Sequence, residues 1–473
     1  MVLLNEYLKT ADNLVWGTPL LVLIVGTGVF FTLRLGFLQI RHLPKALRFM
    51  LKNEKNGAGE VSSFGALCTA LSATIGTGNI VGVATAVSLG GPGALFWMWT
   101  AAFFGMATKF AECTLAVKYR TIDAKGRVLG GPFMYIEKGL GSRYRILAKL
   151  FALSGAGAGL LGIGTITQVN GIATAVQNFF DPQKIDIAFT LGGRAFSQST
   201  ALTAVIVTAL AGFVIIGGIK RIARVTEIVV PFMVVLYVFS CLFVLIVQAP
   251  RLPAALAEVF SYAFTGKAAG GGFMGAAVQL AIQKGVSRGV FSNEAGLGSA
   301  PMAAAAAKTH WAAKQGLISM TGTFIDTLII CTMTGLAIIS TGAWQQPELQ
   351  GVQITAYAFR QGFYFAPELG NLILTVCLVF FAFTTILGWN YYSEKCVEYL
   401  CGGRQSALKK FRMLFILALL TGPFMSIEAV WNLADIMNGL MAFPNLIALL
   451  ALSGVVASEN KLFLRHLQKE KKF

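Results

Sequence analysis

The sequence predicts an all-α integral membrane protein of eleven spans: one extra N-terminal helix, then two sets of five. Three observations carry this reading. The chain is 56% hydrophobic and 12% charged, with a mean hydropathy of +0.69, whereas a soluble domain is about a quarter charged. Its apolar runs are about 20 residues long, the length of a bilayer-crossing helix and not of the ten-residue alternating strands of a barrel. Its lysines and arginines cluster in alternate connectors.

The first span is residues 14–33, and the segment before it lacks the charged start and cleavage site of a signal peptide. A basic amphipathic connector follows, with Arg34, Arg41, Lys45, Arg48, Lys52 and Lys55. Span 2 is residues 64–89 and closes at Gly90-Gly91-Pro92-Gly93. Span 3, residues 94–117, holds Glu112 and leads into a polar connector rich in Lys and Arg. Span 4, residues 146–176, is glycine-rich and carries Gln168 and Asn170; a polar loop, 179–200, follows. Spans 5 and 6 are residues 201–216 and 228–248. The seventh region, 272–307, is too long for one plain helix. Span 8 is 317–341, and an amphipathic stretch, 354–363, precedes span 9 at 372–392. Spans 10 and 11 begin near Leu414 and Leu433, and a basic tail ends the chain.

The connectors after the odd-numbered spans are basic and those after the even-numbered spans are not. The positive-inside rule then puts the N-terminus outside and the C-terminus in the cytoplasm. The formal charge of +17 therefore reads as solvated faces and membrane-surface contacts, not as an anion or nucleic-acid site. Seven cysteines, mostly inside spans and without a C-x-x-C pair, read as packing residues.

The informative stretch is Ala73-Thr74-Ile75-Gly76-Thr77-Gly78-Asn79-Ile80-Val81-Gly82. It puts three glycines, two threonines and an asparagine in the middle of a span. Glycine costs about 1 kcal/mol of helix stability against alanine, and non-helical backbone at membrane depth survives only where protein or a watery cavity meets it. With span 1 set aside, spans 2–6 and 7–11 form two sets of five, and an odd number per set inverts the second against the first. Interrupted helices at the head of each set are the sequence pointer to a central binding site. Equal depth puts the second break near Gly285-Val286-Ser287, although Gly296-Leu297-Gly298-Ser299 echoes the first motif; the break falls within 283–298. The resulting division is 1–60 for the extra helix and connector, 61–248 and 249–457 for the two repeats, and 458–473 for the tail.

Residues 74–93, the string RGVFSNEAGLGSAP at 288–301 and the run Thr384-Thr385-Ile386-Leu387-Gly388-Trp389-Asn390-Tyr391-Tyr392 resemble the alanine or glycine:cation symporter family. The likeness covers essentially the whole chain. It implies the leucine-transporter-type fold of the amino acid–polyamine–organocation superfamily with one extra helix. It also implies transport of small amino acids with sodium, sometimes with protons, by a monomer in a bacterial inner membrane, with no organic cofactor.

A zwitterionic substrate needs donors for its carboxylate. The backbone N–H groups of Thr77, Gly78 and Asn79 offer them at the start of a half-helix, whose dipole adds favourable charge. Gly76 and Gly78 let that backbone approach the ligand. Free carbonyls in span 7, near Gly285 and Ser287, would take the ammonium. The resemblance adds Gln168 as a pocket wall and Trp389 as a closing aromatic; an interhelical hydrogen bond is the alternative role for Gln168. For sodium it implies the hydroxyls of Thr384 and Thr385 with carbonyls from Ala73 to Gly76. Such hydroxyls otherwise bond their own i−4 carbonyl. Glu112, Glu294 and Asp326 are intramembrane acids, functional candidates by default. Glu112 reads as a partner for freed backbone in span 7, and Asp326 as a partner for Arg288 or Lys284; a proton relay is the other use. An enzyme is disfavoured: His42, His310 and His466 lie in connectors or the tail, and neither H-E-x-x-H nor a phosphate loop occurs. Paired broken helices favour alternating access over a channel. Crowded glycine and tryptophan favour alanine and glycine as cargo.

Overall fold

The computed structural model describes residues 2–52, 54, 57–181, 185–191, 194–265, 274–425 and 427–470. Among the described residues seven helices are long and apolar enough to cross a bilayer, and the bent pair Ser63–Thr74 and Gly78–Gly90 makes an eighth. The other members of the elevenfold count fall short of that measure. Gly93–Lys118 is diluted by Lys109, Glu112 and two tryptophans. Met274–Asn293 is diluted by Lys284, Arg288 and several amides and glycines. Gln405–Thr421 has only 17 residues and a basic start.

Span 2 is divided as the glycines predict. Its first half, Ser63–Thr74, starts at Ser62, whose Oγ accepts from Gly65 N–H at 2.8 Å and donates to Glu227 Oε1 at 2.7 Å. One hydroxyl thus caps this half-helix and ties it to span 6. After Ile75–Thr77 the chain resumes as a π-turn, Gly78–Gly82, and continues as Val83–Gly90, bent by 51°.

The interruption of span 7 lies at Glu294–Ser299, between helices Met274–Asn293 and Ala300–Ala305. Gly285 and Ser287 sit inside unbroken helix, which corrects the equal-depth placement. The two halves of span 7 are 20 and six residues long, so depth measured in span 2 does not transfer. Gly285 has another use: a Cβ there would stand 2.4 Å from Ala94 O and 2.8 Å from Trp97 Cβ, so its absence lets spans 3 and 7 touch. Gly272 lies outside the described residues. The broken helices are tied at the basic end of the bundle. Glu60 and Val61 donate to Ala306 O, Lys308 donates to Val61 O, and the Arg120 guanidinium holds the carbonyls of Ala58, Ala305 and Ala307.

Span 4 is also broken, which the sequence did not lead us to expect. Helices Arg145–Leu161 and Ile166–Phe180 are separated by Gly162–Thr165. Its glycines accommodate span 9: a Cβ on Gly164 would stand 2.6 Å from Trp389 Cβ, and one on Gly159 would collide with Ser393. Span 9 is a continuous helix, Pro367–Leu400. At Gly388 it comes so near the first half of span 2 that a Cβ would lie 2.7 Å from Ala73 N. Two small antiparallel hairpins, Thr121–Ile122 with Val128–Leu129 and Ile187–Leu191 with Arg194–Ser197, occupy connectors read as loops. The amphipathic stretch before span 9 is helix Val352–Gly362.

Candidate functional site

Where spans 2, 4, 7, 9 and 11 meet, they leave a small cavity of about 10 Å³, room for about one water-sized centre. Span 2 contributes Ala73, Thr74, Gly76, Thr77 and Gly78; span 4 contributes Ile163 and Gln168. Phe291 and Glu294 come from span 7, Thr385 and Trp389 from span 9, and Asn438 from span 11. Eight of the residues singled out in the sequence thus share one wall: Ala73, Gly76, Thr77, Gly78, Gln168, Glu294, Thr385 and Trp389.

The wall is rich in unmet hydrogen-bonding capacity. Thr77 Oγ1, Gln168 Oε1 and Asn438 Oδ1 are buried and have no protein partner. The Trp389 indole N–H approaches the Glu294 carboxylate, but not at the geometry of a hydrogen bond. Buried polar atoms are normally paired, so Thr77, Gln168 and Asn438 leave hydrogen-bonding capacity free at the cavity wall. The half-helix starts at Gly78, in this wall; of its first N–H groups that of Asn79 already donates to Gly76 O at 3.2 Å.

Span 9 meets the break in span 2 through Thr385. Its Oγ1 donates to its own i−4 carbonyl, Phe381 O, at 2.9 Å, and lies 3.5 Å from Ile75 O. A Cβ on Gly76 would stand 2.4 Å from the same hydroxyl. Neutral oxygens from Thr385 and the opened backbone at Ala73–Gly76 are donors suited to a hard monovalent cation. Thr384 turns away, donating to Phe381 O at 3.0 Å beside Met233 of span 6.

Asn79 and Asp326 form a layer behind the cavity. Asn79 Oδ1 accepts from Gly76 N–H at 2.9 Å, and its amide donates to Asp326 Oδ1 at 2.7 Å. Ser292 and Thr327 each donate to Asp326 Oδ2 at 2.8 Å. Asp326 therefore pairs with neither Arg288 nor Lys284. Arg288 faces Asp435 at 3.8 Å and lies over the Phe291 ring. A polar network, rather than a cation, compensates the buried carboxylate.

The break in span 7 is built differently. Glu294, Gly296 and Gly298 have φ of +55°, +89° and +80°, a region costly for a side chain and easy for glycine. Lys109, 2% exposed, donates to Glu294 O at 3.0 Å and faces Glu112 at 3.5 Å. Asn445 donates to Glu112 Oε2 at 3.0 Å and to Gly296 O at 2.9 Å, and Ser299 donates to Glu294 Oε2 at 2.6 Å. Glu112 is thus linked to the freed backbone of span 7 through Asn445, whose amide donates to both Glu112 and Gly296 O. Lys109, Asn438 and Asn445 went unread. Each is a polar residue within an apolar span, and Lys109 precedes Glu112 by three, a same-face spacing on a helix.

The model of the sodium:alanine symporter family matches residues 1–473. A transporter of Haemophilus influenzae is 52% identical over 98% of this chain and 97% of its own. The sodium/alanine symporter AgcS of Methanococcus maripaludis is 49% identical over 96% of each chain. Among solved structures, MhsT in complex with L-phenylalanine superposes with a TM-score of 0.60 at 16% identity, covering 85% of this chain and 92% of that one. This likeness carries the leucine-transporter-type fold that the family resemblance implies. A transporter fold, a buried polar cavity at two broken helices and a match along the whole chain agree: this chain belongs to the sodium:alanine symporter family and is a membrane transporter, not an enzyme.

Proposed function

We propose that the protein takes up small neutral amino acids, alanine and glycine, together with sodium by alternating access. The supporting observation is the small cavity between the two broken helices, walled by unpaired polar atoms of Thr77, Gln168 and Asn438. The substrate carboxylate would lie against the N–H groups at Thr77 and Gly78, and the carbonyls around the span 7 break would take its ammonium. Trp389 and Phe291 would bound the side chain, favouring a methyl group or a hydrogen. Sodium would sit between Thr385 and the carbonyls of Ala73–Gly76. The name of the relative AgcS, with both sodium and alanine in it, supports the same cargo.

Proton coupling is the second reading, favoured by one observation: Glu294, in the cavity wall, shares a buried cluster with Lys109 and Glu112. Competition uptake in proteoliposomes separates the two. Alanine accumulation driven by an inward sodium gradient at equal pH supports the first. Accumulation driven by a pH gradient alone, without sodium, supports the second. We further propose an outside N-terminus, a cytoplasmic C-terminus and a working monomer in the bacterial inner membrane.

A further inference from the structure

Three basic residues gather round one cleft at the basic end of the bundle. Arg34 ends span 1, and Lys461 and Arg465 lie one turn apart on helix Ser453–Glu470. With Ala457, Asn460 and Leu464 they line a space of about 460 Å³. None of the three cations has an ion-pair partner among the described residues. Glu459, the adjacent acid, is held by Lys118 at 2.7 Å. Asn460 is only 7% exposed, lines the cleft, and its Oδ1 has no partner. Leu35 and Leu464 line the cleft beside the cations, and Leu33 and Leu462, the chain neighbours of Arg34 and Lys461, are 62% and 48% exposed. The site thus offers three donors for an anion, one buried acceptor and an apolar flank where a membrane span ends.

A free inorganic anion would use the cations and leave the apolar flank without a partner. A zwitterionic lipid would bring its own cation against three others. We propose that this cleft binds an acidic phospholipid with a hydroxylated headgroup, phosphatidylglycerol. Its phosphodiester would meet Arg34, Lys461 and Arg465, a headgroup hydroxyl would donate to Asn460 Oδ1, and its acyl chains would run along Leu33 and Leu462.

The test is native mass spectrometry of the full chain, purified and offered phosphatidylglycerol, phosphatidic acid and phosphatidylcholine. Each surface cation contributes about fivefold to acidic-lipid affinity, so Arg34→Gln/Lys461→Gln/Arg465→Gln should lower phosphatidylglycerol retention about a hundredfold. The control Lys149→Gln/Lys409→Gln/Lys410→Gln removes as many exposed cations elsewhere and should change it little. All three cleft cations are exposed, so folding should be spared; the single variants, each expected to lose about fivefold, give the same reading if the triple variant expresses poorly. Asn460→Ala should abolish a preference for phosphatidylglycerol over phosphatidic acid, which lacks the glycerol headgroup. Equal retention by wild type and cleft variants, equal loss in the control, or an unchanged lipid preference in Asn460→Ala would overturn the proposal. Displacement of the lipid by millimolar inorganic phosphate would make the cleft a free-anion site and overturn it as well.

Discussion

The two interrupted helices are opened by different means. In span 2 the break is three residues, Ile75–Thr77, and its glycines have ordinary negative φ. It is held by neutral groups, chiefly Asn79, whose amide oxygen caps Gly76 N–H. In span 7 the break is six residues with three left-handed positions, held by Lys109, Glu112, Asn445 and Ser299. The first faces the cavity with Gly76, Thr77 and Gly78; the second is strained, flanked by charge and packed from behind. The difference fits the proposed contacts: span 2 would offer N–H groups beside the bare Gly76 and Gly78, and span 7 would offer carbonyls on a backbone held from behind, with Glu294 in the cavity wall.

The largest expected effect is on the support. Lys109→Met removes the one cation between Glu112 and the Glu294 carbonyl and leaves buried charge uncompensated. Breaking such a cluster costs about 3–5 kcal/mol, so membrane yield and thermal stability should fall sharply. A variant of normal stability that has lost uptake would break the comparison, because the Lys109–Glu112 pair would then be acting on cargo and not on the backbone it holds.

The next tests span 2 alone. Gly76→Ala should reach the membrane and lose alanine uptake, because its Cβ would stand 2.4 Å from Thr385 Oγ1. Gly78→Ala should be milder. Its Cβ would meet Phe291 Cδ1 and Ser292 Cα at 3.5 Å, an ordinary contact, leaving mainly a bias of about 1 kcal/mol toward continuous helix. Uptake and yield measured on both variants check the order; Gly78→Ala worse than Gly76→Ala would move the close approach from Thr385 to span 7.

Thr385→Val keeps shape and removes a hydroxyl from the junction of spans 2 and 9. An unreplaced hydrogen bond is worth about 1–3 kcal/mol, so the sodium concentration for half-maximal uptake should rise while yield holds. An unchanged sodium dependence would move the ion away from Ala73–Gly76.

The same contrast explains what could be read from the sequence. Span 2 was legible because its opening is written locally, in Gly76, Thr77, Gly78 and Asn79. Span 7 was legible as broken but not in position, since its stability comes from Lys109 on span 3 and Asn445 on span 11. Local spacing does not reveal such partners. Asn79 points away from the cavity because Asp326, 247 residues on, takes its amide. The break in span 4 was hidden because glycines that seat Trp389 look like ordinary helix-packing glycines. Thr384 and Thr385 are adjacent and chemically alike; only the side from which span 2 approaches separates them.

The smallest expected effect tests where the support begins. Ser287 lies inside helix Met274–Asn293, and its hydroxyl is 3.5 Å from Lys284 O, a weak contact within its own helix. Ser287→Ala should therefore change stability by no more than about 0.5 kcal/mol and leave alanine affinity as it was. Gly285→Ala, two residues away, should behave otherwise: its Cβ would collide with Ala94 O, lowering yield while the surviving protein binds alanine normally. If the ligand instead met span 7 at the depth of the span 2 break, both changes would weaken binding, Ser287→Ala without any loss of yield. Alanine affinity and thermal stability on this pair therefore decide whether the opened backbone of span 7 lies at Glu294–Ser299 or two turns earlier.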